Sequence, residues 1–257
     1  IYKYSMNVEI ITMVYKSTKF VDFIAKQLLT CKSDLANIHL RIICNDASDT
    51  VLDRVKQTNI PYSIYKDDKP NDYYLNRVYR AWNYGGFTSA SENIVFVNSD
   101  MAFSDGWIDA LLRHHDGNNI PCSRLVESGK LEVGSGIPNK GWAAACNLGT
   151  TPDTFRIKDW QIVSNNNKQQ GYGIGGLYMP CRFKTSRFKL AGGYPEGNVY
   201  TTGYFEGTVD FDPDAGSVQL NATNGHCFML SLTSNCSFIA VKNVGAGGDV
   251  RPIGIAI

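Results

Sequence analysis

Residues 92–112, ENIVFVNSDMAFSDGWIDALL, decide how the rest of the chain is read. Ile94, Val95, Phe96 and Val97 form a β-branched and aromatic run of the kind buried on both faces of a parallel sheet. The run stops at Asn98, Ser99 and Asp100. Ser104 and Asp105 then offer N-cap chemistry to a helix carrying Trp107, Ile108, Leu111 and Leu112 on its apolar side. Polar oxygens therefore stand at the carboxyl end of a buried strand, where open α/β sheets place their ligands. A carboxylate flanked by an amide and a hydroxyl suits a hard divalent cation that also touches phosphate oxygens. The same residues equally suit a capped strand-to-helix turn that binds nothing.

Upstream, Val8 to Val14 reads as a first strand, followed by the polar turn Tyr15–Thr18 and a helix with Phe20, Ile24, Leu28 and Leu29 at helical spacing. His39 to Cys44 is a second buried strand, closed by Asn45, Asp46, Ala47, Ser48 and Asp49, and a short helix carries Val51, Leu52 and Val55. Pro61 opens a third, exposed strand. Tyr74 to Tyr84 is a helix ended by Gly85 and Gly86, with Arg77 and Arg80 beside its apolar side. Alternating strands and helices predict an α/β fold with a parallel sheet covered on both faces. The ends of three strands, at Tyr15, Asp46 and Asp100, would then meet in one crevice. Neither a G-x-G-x-x-G turn nor a Walker loop follows any early strand, so a nucleotide held here relies on carboxylate and metal.

Composition narrows the classes. A chain of 257 residues with formal net charge +1 can bury a full core and shows no basic excess calling for nucleic acid. No apolar run approaches a membrane span, and no signal-peptide pattern opens the chain. The chain starts at Ile1 without Met and stops within an apolar alternation, which reads as a fragment. The seven cysteines include no Cys-x-x-Cys pair and read as buried small hydrophobes in a reducing, cytoplasmic setting. The four histidines lack metal-ligand spacing, and His114 and His115 suit a helix C-terminus.

Three segments in this order, VEIITMVYKSTKFVDFIAKQLL, RIICNDASD and NIVFVNSDMAFSDGWIDALL, resemble the signature segments of GT-A-fold glycosyltransferases, particularly the large family 2. Met13, Val14 and Tyr15 stand where such enzymes carry a Pro-Thr-Tyr-like turn. Asn45, Asp46, Ala47 and Ser48 match Asp-Asp-Gly-Ser, and Asn98, Ser99 and Asp100 match Asp-x-Asp. LAGGYPEG, Leu190 to Gly197, resembles the segment around the acceptor pocket.

The resemblance implies a GT-A-like, mostly parallel sheet over residues 1–196. It also implies an inverting transfer from a nucleotide-diphosphate sugar donor to a glycan or other hydroxyl acceptor. Asp46 would take a hydrogen bond from the nucleobase, and Tyr15 would pack on base or ribose. Asp100 would hold Mg²⁺ or Mn²⁺ against the leaving diphosphate. Asn98 in place of the first Asp leaves one charged ligand and weakens the metal. Arg77 would add positive charge, or is a solvated helix residue. Glu196 stands nearest to the family's acidic general base; Glu206 and Asp210 are further candidates.

The middle, Pro121 to Tyr172, reads as loop, with Trp142 and Trp160 as core residues or sugar-stacking faces. GYGIGG (171–176) reads as a tight turn. From residue 197 the chain turns alternating, β-branched and rich in Gly, Asn, Asp and Thr, predicting a helix-free β-meander over 197–257. GNVYTTGYF and TVDFDPDAGS resemble one unit of the β-propeller-like repeats of bacterial surface proteins. A non-catalytic carbohydrate-binding or surface protein is the alternative that this tail raises. DFDPD reads as a polar turn.

Overall fold

Strand β1 (Met6–Val14) is the middle of a five-stranded sheet, and Val8, Ile10, Ile11 and Val14 along it are buried in the computed structural model. Residues 6–113, 120–123, 125–128, 143–166, 168, 179–194, 198–212, 216–233 and 238–243 are described. The chain divides into two compact units: residues 1–67 with 81–190, and residues 68–80 with 191–257.

In the first unit, helix α1 (Thr18–Leu29) starts at Ser17, whose Oγ accepts the Phe20 N–H at 3.4 Å, and buries Val21, Ile24, Ala25 and Leu28. Leu29, expected on the apolar face, is exposed, because it falls off the stripe set by Ile24 and Leu28. Strand β2 (Ala36–Asn45), helix α2 (Asp49–Lys56) and strand β3 (Tyr62–Tyr65) follow, with β3 on the sheet edge as its exposed pattern predicts.

Helix α3 (Tyr74–Phe87) leads into β4 (Asn93–Val97), all five of whose residues are buried. Helix α4 (Trp107–Arg113) then packs Trp107, Ile108, Leu111 and Leu112 on the core. The sheet order is β3-β2-β1-β4, all parallel, closed by β7 (Cys181–Lys184) running antiparallel to β4. The mostly parallel sheet flanked by helices is the α/β class that the sequence predicts.

Helices α1, α2 and α4 share one core with Val8, Ile10, Ile42, Val95 and Val97. Each such aliphatic side chain contributes about 1.5–3 kcal/mol when fully buried. The opposite face is covered by α3 and by α6 (Thr185–Leu190), where Phe188 lies 5.2 Å from the Phe96 ring.

Gly85 and Gly86 do not end α3 as expected; the helix continues through them to Phe87. A Cβ on Gly85 would come within 3.0 Å of Ile11 Cγ2 and 3.3 Å of Ile43 Cγ1, and one on Gly86 would strike the Phe188 ring. The glycines serve close helix–sheet packing, which outweighs their helix cost of about 1 kcal/mol each.

The middle region is less loop-like than the sequence suggests. Strands β5 (Leu125–Ser128) and β6 (Ala143–Cys146) form a parallel pair, and α5 (Ile157–Asn166) follows. Polar turn residues around these short elements mask them from a reading by period.

In the second unit, β8 (Asn198–Asp210), β9 (Gln219–Thr233) and β10 (Phe238–Asn243) make an antiparallel sheet in the order β10-β9-β8. Phe205, Phe211 and Ala222 form its core, with Phe211 and Phe228 rings 4.6 Å apart. Strands β8 and β9 run for 13 and 15 residues. Asn224–Gly225 falls inside β9, beside a register shift opposite Phe205 and Gly207, and Gly207 takes φ +78°.

Candidate functional site

Register decides which strand ends meet. Val14 pairs with Cys44, Thr12 with Val97, and Asn45 with Tyr65. Tyr15, Asp46, Lys66 and Asn98 are therefore the first residues beyond four adjacent parallel strands, all at one edge of the sheet. Neighbouring strands lie about 4.8 Å apart, so Asp46 and Asn98 leave the sheet about 10 Å apart with Tyr15 between them. The chain steps from β1 to β2 to β3 on one side and returns to β4 on the other. The crevice between β1 and β4 is thus a topological switch point.

Asp46 is held in place from β3. Its N–H donates to Tyr65 O at 3.0 Å, and its Oδ1 accepts the Asp67 N–H at 3.2 Å. Its φ of +46° is a left-handed conformation that Asp and Asn tolerate better than most residues. It is half-buried, while Asp67 is buried. Tyr15 is half-buried, with Lys16 Nζ 4.7 Å from its ring centroid. Val14 packs its side chain into the core, so only its backbone borders the crevice. Met13 is half-buried, and its Sδ accepts from Asn45 Nδ2 at 3.3 Å.

Asn98 and Ser99 are half-buried, and Asp100 is exposed. The loop is anchored immediately downstream. Phe103 stacks on Trp107 at 4.3 Å, and its N–H donates to Gln27 Oε1 at 3.4 Å. Met101 and Phe103 also pack on the core, which leaves Asp100 as the carboxylate turned to solvent.

Among the described residues, no group of three or more His, Cys, Asp or Glu could hold a metal ion on its own. Asp100 and the Asn98 amide are hard oxygen donors. They fit Mg²⁺ or Mn²⁺ only as an ion that draws its other ligands from water and a diphosphate.

Arg77 lies in the part of α3 that belongs to the second unit and is half-buried. Glu196 lies outside the described residues, as do His114, His115, Trp142 and residues 171–176. Asp210 is committed to a turn: its Oδ1 accepts the N–H groups of Asp212 at 3.1 Å and Val218 at 2.9 Å. Those backbone bonds, with one from the Ser217 side chain, hold its carboxyl below the ordinary range. Glu206 is exposed on β8, and Trp160 is half-buried in α5.

Three residues of this edge escape a sequence reading. Tyr65 stacks obliquely on Tyr84 of α3, with centroids 5.3 Å apart. Asp67 braces Asp46. Asn45 is 4% exposed, and its Oδ1 has no hydrogen-bond partner among the described residues. The signal for the first two was the polar end of YSIYKDD, the same pattern that marks the other strand ends. Asn45 stands in the Asp-Asp-Gly-Ser match, but its burial and its unpartnered Oδ1 have no sequence signal.

No protein-family model matches the chain, and no curated protein does. Among solved structures it is similar to a mannosyltransferase, PcManGT from Pyrobaculum calidifontis in complex with GDP-Man and Mn²⁺, at 9% identity and a TM-score of 0.46, covering 76% of this chain and 49% of that one. It is similar to S. aureus TarS 1-349 at 15% identity and a TM-score of 0.44, covering 74% and 51%. For glucosyl-3-phosphoglycerate synthase from Mycobacterium tuberculosis in complex with UDP the figures are 12% identity, TM-score 0.35, 49% and 45%. The chain spans about half the length of these structures. At such scores the functional reading rests on the chain's own residues.

Proposed function

We propose that this chain binds a nucleotide-diphosphate sugar at the carboxyl edge of its parallel sheet. The sugar is then transferred, with inversion, to a glycan or another hydroxyl acceptor. One observation carries the reading: Tyr15, Asp46 and Asn98–Asp100, the residues of three ordered sequence signatures, leave adjacent strands at one edge beside the switch point.

In this reading Tyr15 packs against base or ribose, and Met13 with the Val14 backbone lines the same wall. Asp46, braced by Asp67, accepts a hydrogen bond from the base. Asn98, Ser99 and Asp100 face the diphosphate, and Asp100 with the Asn98 amide would hold Mg²⁺ or Mn²⁺. Such an ion, when bound, supplies positive charge to the departing diphosphate. Arg77 would add a second positive charge. Glu196 is proposed as the base that takes the acceptor's proton, which leaves the hydroxyl oxygen free to attack the anomeric carbon. The domain division at 196/197 belongs to the same proposal, as does a cytoplasmic location. No described helix is long and apolar enough to cross a membrane.

The single charged ligand at 98–100 favours a second reading, a carbohydrate-binding protein without turnover. There the three-stranded sheet, whose sequence resembles one β-propeller-like unit, makes the contacts. Titration calorimetry with UDP, GDP and dTDP in the presence of Mn²⁺ tests the first reading. Binding that disappears in Asp100→Ala supports it, and no binding of any nucleotide removes it.

A further inference from the structure

Outside the crevice, residues 121–123 pair with the start of β7. The Ser123 N–H donates to Pro180 O at 3.1 Å, and the Arg182 N–H donates to Pro121 O at 3.0 Å. These two bonds bracket Cys122 and Cys181, which face each other as an antiparallel bridge. A pair bracketed in this way is the non-hydrogen-bonded kind. Its Cα atoms approach to about 4.5 Å, and its side chains leave on one face. Disulfides span Cα separations of about 4.4–6.8 Å, so a pair of this kind lies within the range a disulfide bridges.

Both residues are thiols in the structure. Cys181 is buried and Cys122 is half-buried, so Cys122 is the more accessible residue of the pair. Met179 Sδ lies 3.4 Å from Cys181 Sγ, so a soft, polarisable group surrounds the inner sulfur. The other side of Cys181 pairs with Phe96, two residues before Asn98, so the bridge sits at the same edge of the sheet as the crevice.

We propose that Cys122 and Cys181 form a reversible disulfide that clips the 120–123 segment to the strand closing the sheet. The oxidant is a small-molecule disulfide. The Cys122 thiolate attacks one of its sulfurs, expels the first thiolate and leaves a mixed disulfide. The Cys181 thiolate then attacks the Cys122 sulfur and expels the second thiolate. The two protons lost by the cysteines pass to the two released thiolates. The protein pair is oxidised by two electrons, and the reagent is reduced by two. The bond closes a loop of roughly 60 residues, a length at which cross-links restrict the unfolded chain strongly. Cys31 and Cys44 do not compete, because burial pushes each thiol up to about 11.

The test is incubation of the whole chain with oxidised glutathione, followed by thiol titration under denaturing conditions and mass mapping. The expected result is a fall from the seven thiols of the sequence by two, with a mass loss of about 2 Da. Tryptic peptides 114–124 and 169–182 should run as one species that dithiothreitol separates. Cys122→Ser and Cys181→Ser should each hold six thiols before treatment and lose no pair by it. Linkage of either cysteine to a different one, a stable glutathione adduct on Cys122, or no loss of thiols overturns the proposal.

Discussion

The Asp67 N–H donates to the Asp46 carboxylate at 3.2 Å, so the end of the edge strand fixes the acid that ends its neighbour. Asp46 is therefore both a brace and a candidate ligand, and the two roles separate by substitution. Asp46→Ala leaves a buried N–H without its acceptor and forces a left-handed backbone on Ala, at a cost of about 1–3 kcal/mol. Asp46→Asn keeps the acceptor and the tolerated φ. It should unfold at nearly the wild-type urea midpoint, yet bind nucleotide at least tenfold more weakly. Equal loss of stability in both variants would leave Asp46 a structural residue.

Asp100 behaves differently because it is exposed and carries no packing. Asp100→Ala should change stability by less than about 0.5 kcal/mol while abolishing the Mn²⁺-dependent part of nucleotide binding. Asn98→Asp supplies the missing second carboxylate and should tighten that part severalfold. Calorimetry with and without EDTA separates the two contributions.

Gly86 tests the packing of α3. A Cβ there would sit 2.8 Å from Phe188 Cδ1, inside contact distance, so Gly86→Ala should cost about 1–3 kcal/mol despite its better helix propensity. Gly86→Ala combined with Phe188→Leu should recover part of that loss. A stabilised single variant would mean that the helix ends before this residue.

Asp72 and Arg80 give a pH dependence. The hydrogen bond from the Arg80 guanidinium, at 2.8 Å, with further bonds from the Tyr73 N–H and Asn76, holds the Asp72 carboxyl below its ordinary range. A carboxyl lowered on folding stabilises above its unfolded value, near 3.9, and that contribution fades as pH falls through the folded value. Stability should therefore fall as pH is lowered below the ordinary carboxylate value, about 4. The drop should be smaller in Asp72→Asn, measured by urea unfolding at each pH.

How much of this could be read in advance follows from what each signal measures. The apolar runs at Val8–Val14, His39–Cys44 and Ile94–Val97 are dense enough to name central strands, and their polar ends at Tyr15, Asp46 and Asn98 fall at one edge of the sheet. Burial on both faces leaves no other assignment. Strand β7 was invisible because its four residues include Arg182, buried against Asn93, where period-based reading expects an apolar side chain. Gly85 and Gly86 misled for a similar reason. A glycine that lets a helix approach a sheet is indistinguishable in sequence from one that ends it. Asp67 was missed because its partnership with Asp46 depends on the parallel pairing of β2 and β3, which no local window contains.

Strand β7 also carries a lesson about time. Arg182 meets Asn93 across 89 residues of chain, whereas β1 through β4 follow one another with only their crossover helices between. As the polypeptide leaves the ribosome, the four parallel strands and the crevice they border can assemble while the partner of β4 has yet to be synthesised. Until then β4, apolar from Ile94 to Val97, presents a bare border. A nascent chain of this protein is accordingly most prone to sticking between the emergence of Val97 and that of Cys181, and ribosome-stalled lengths in that window should recruit chaperones most strongly.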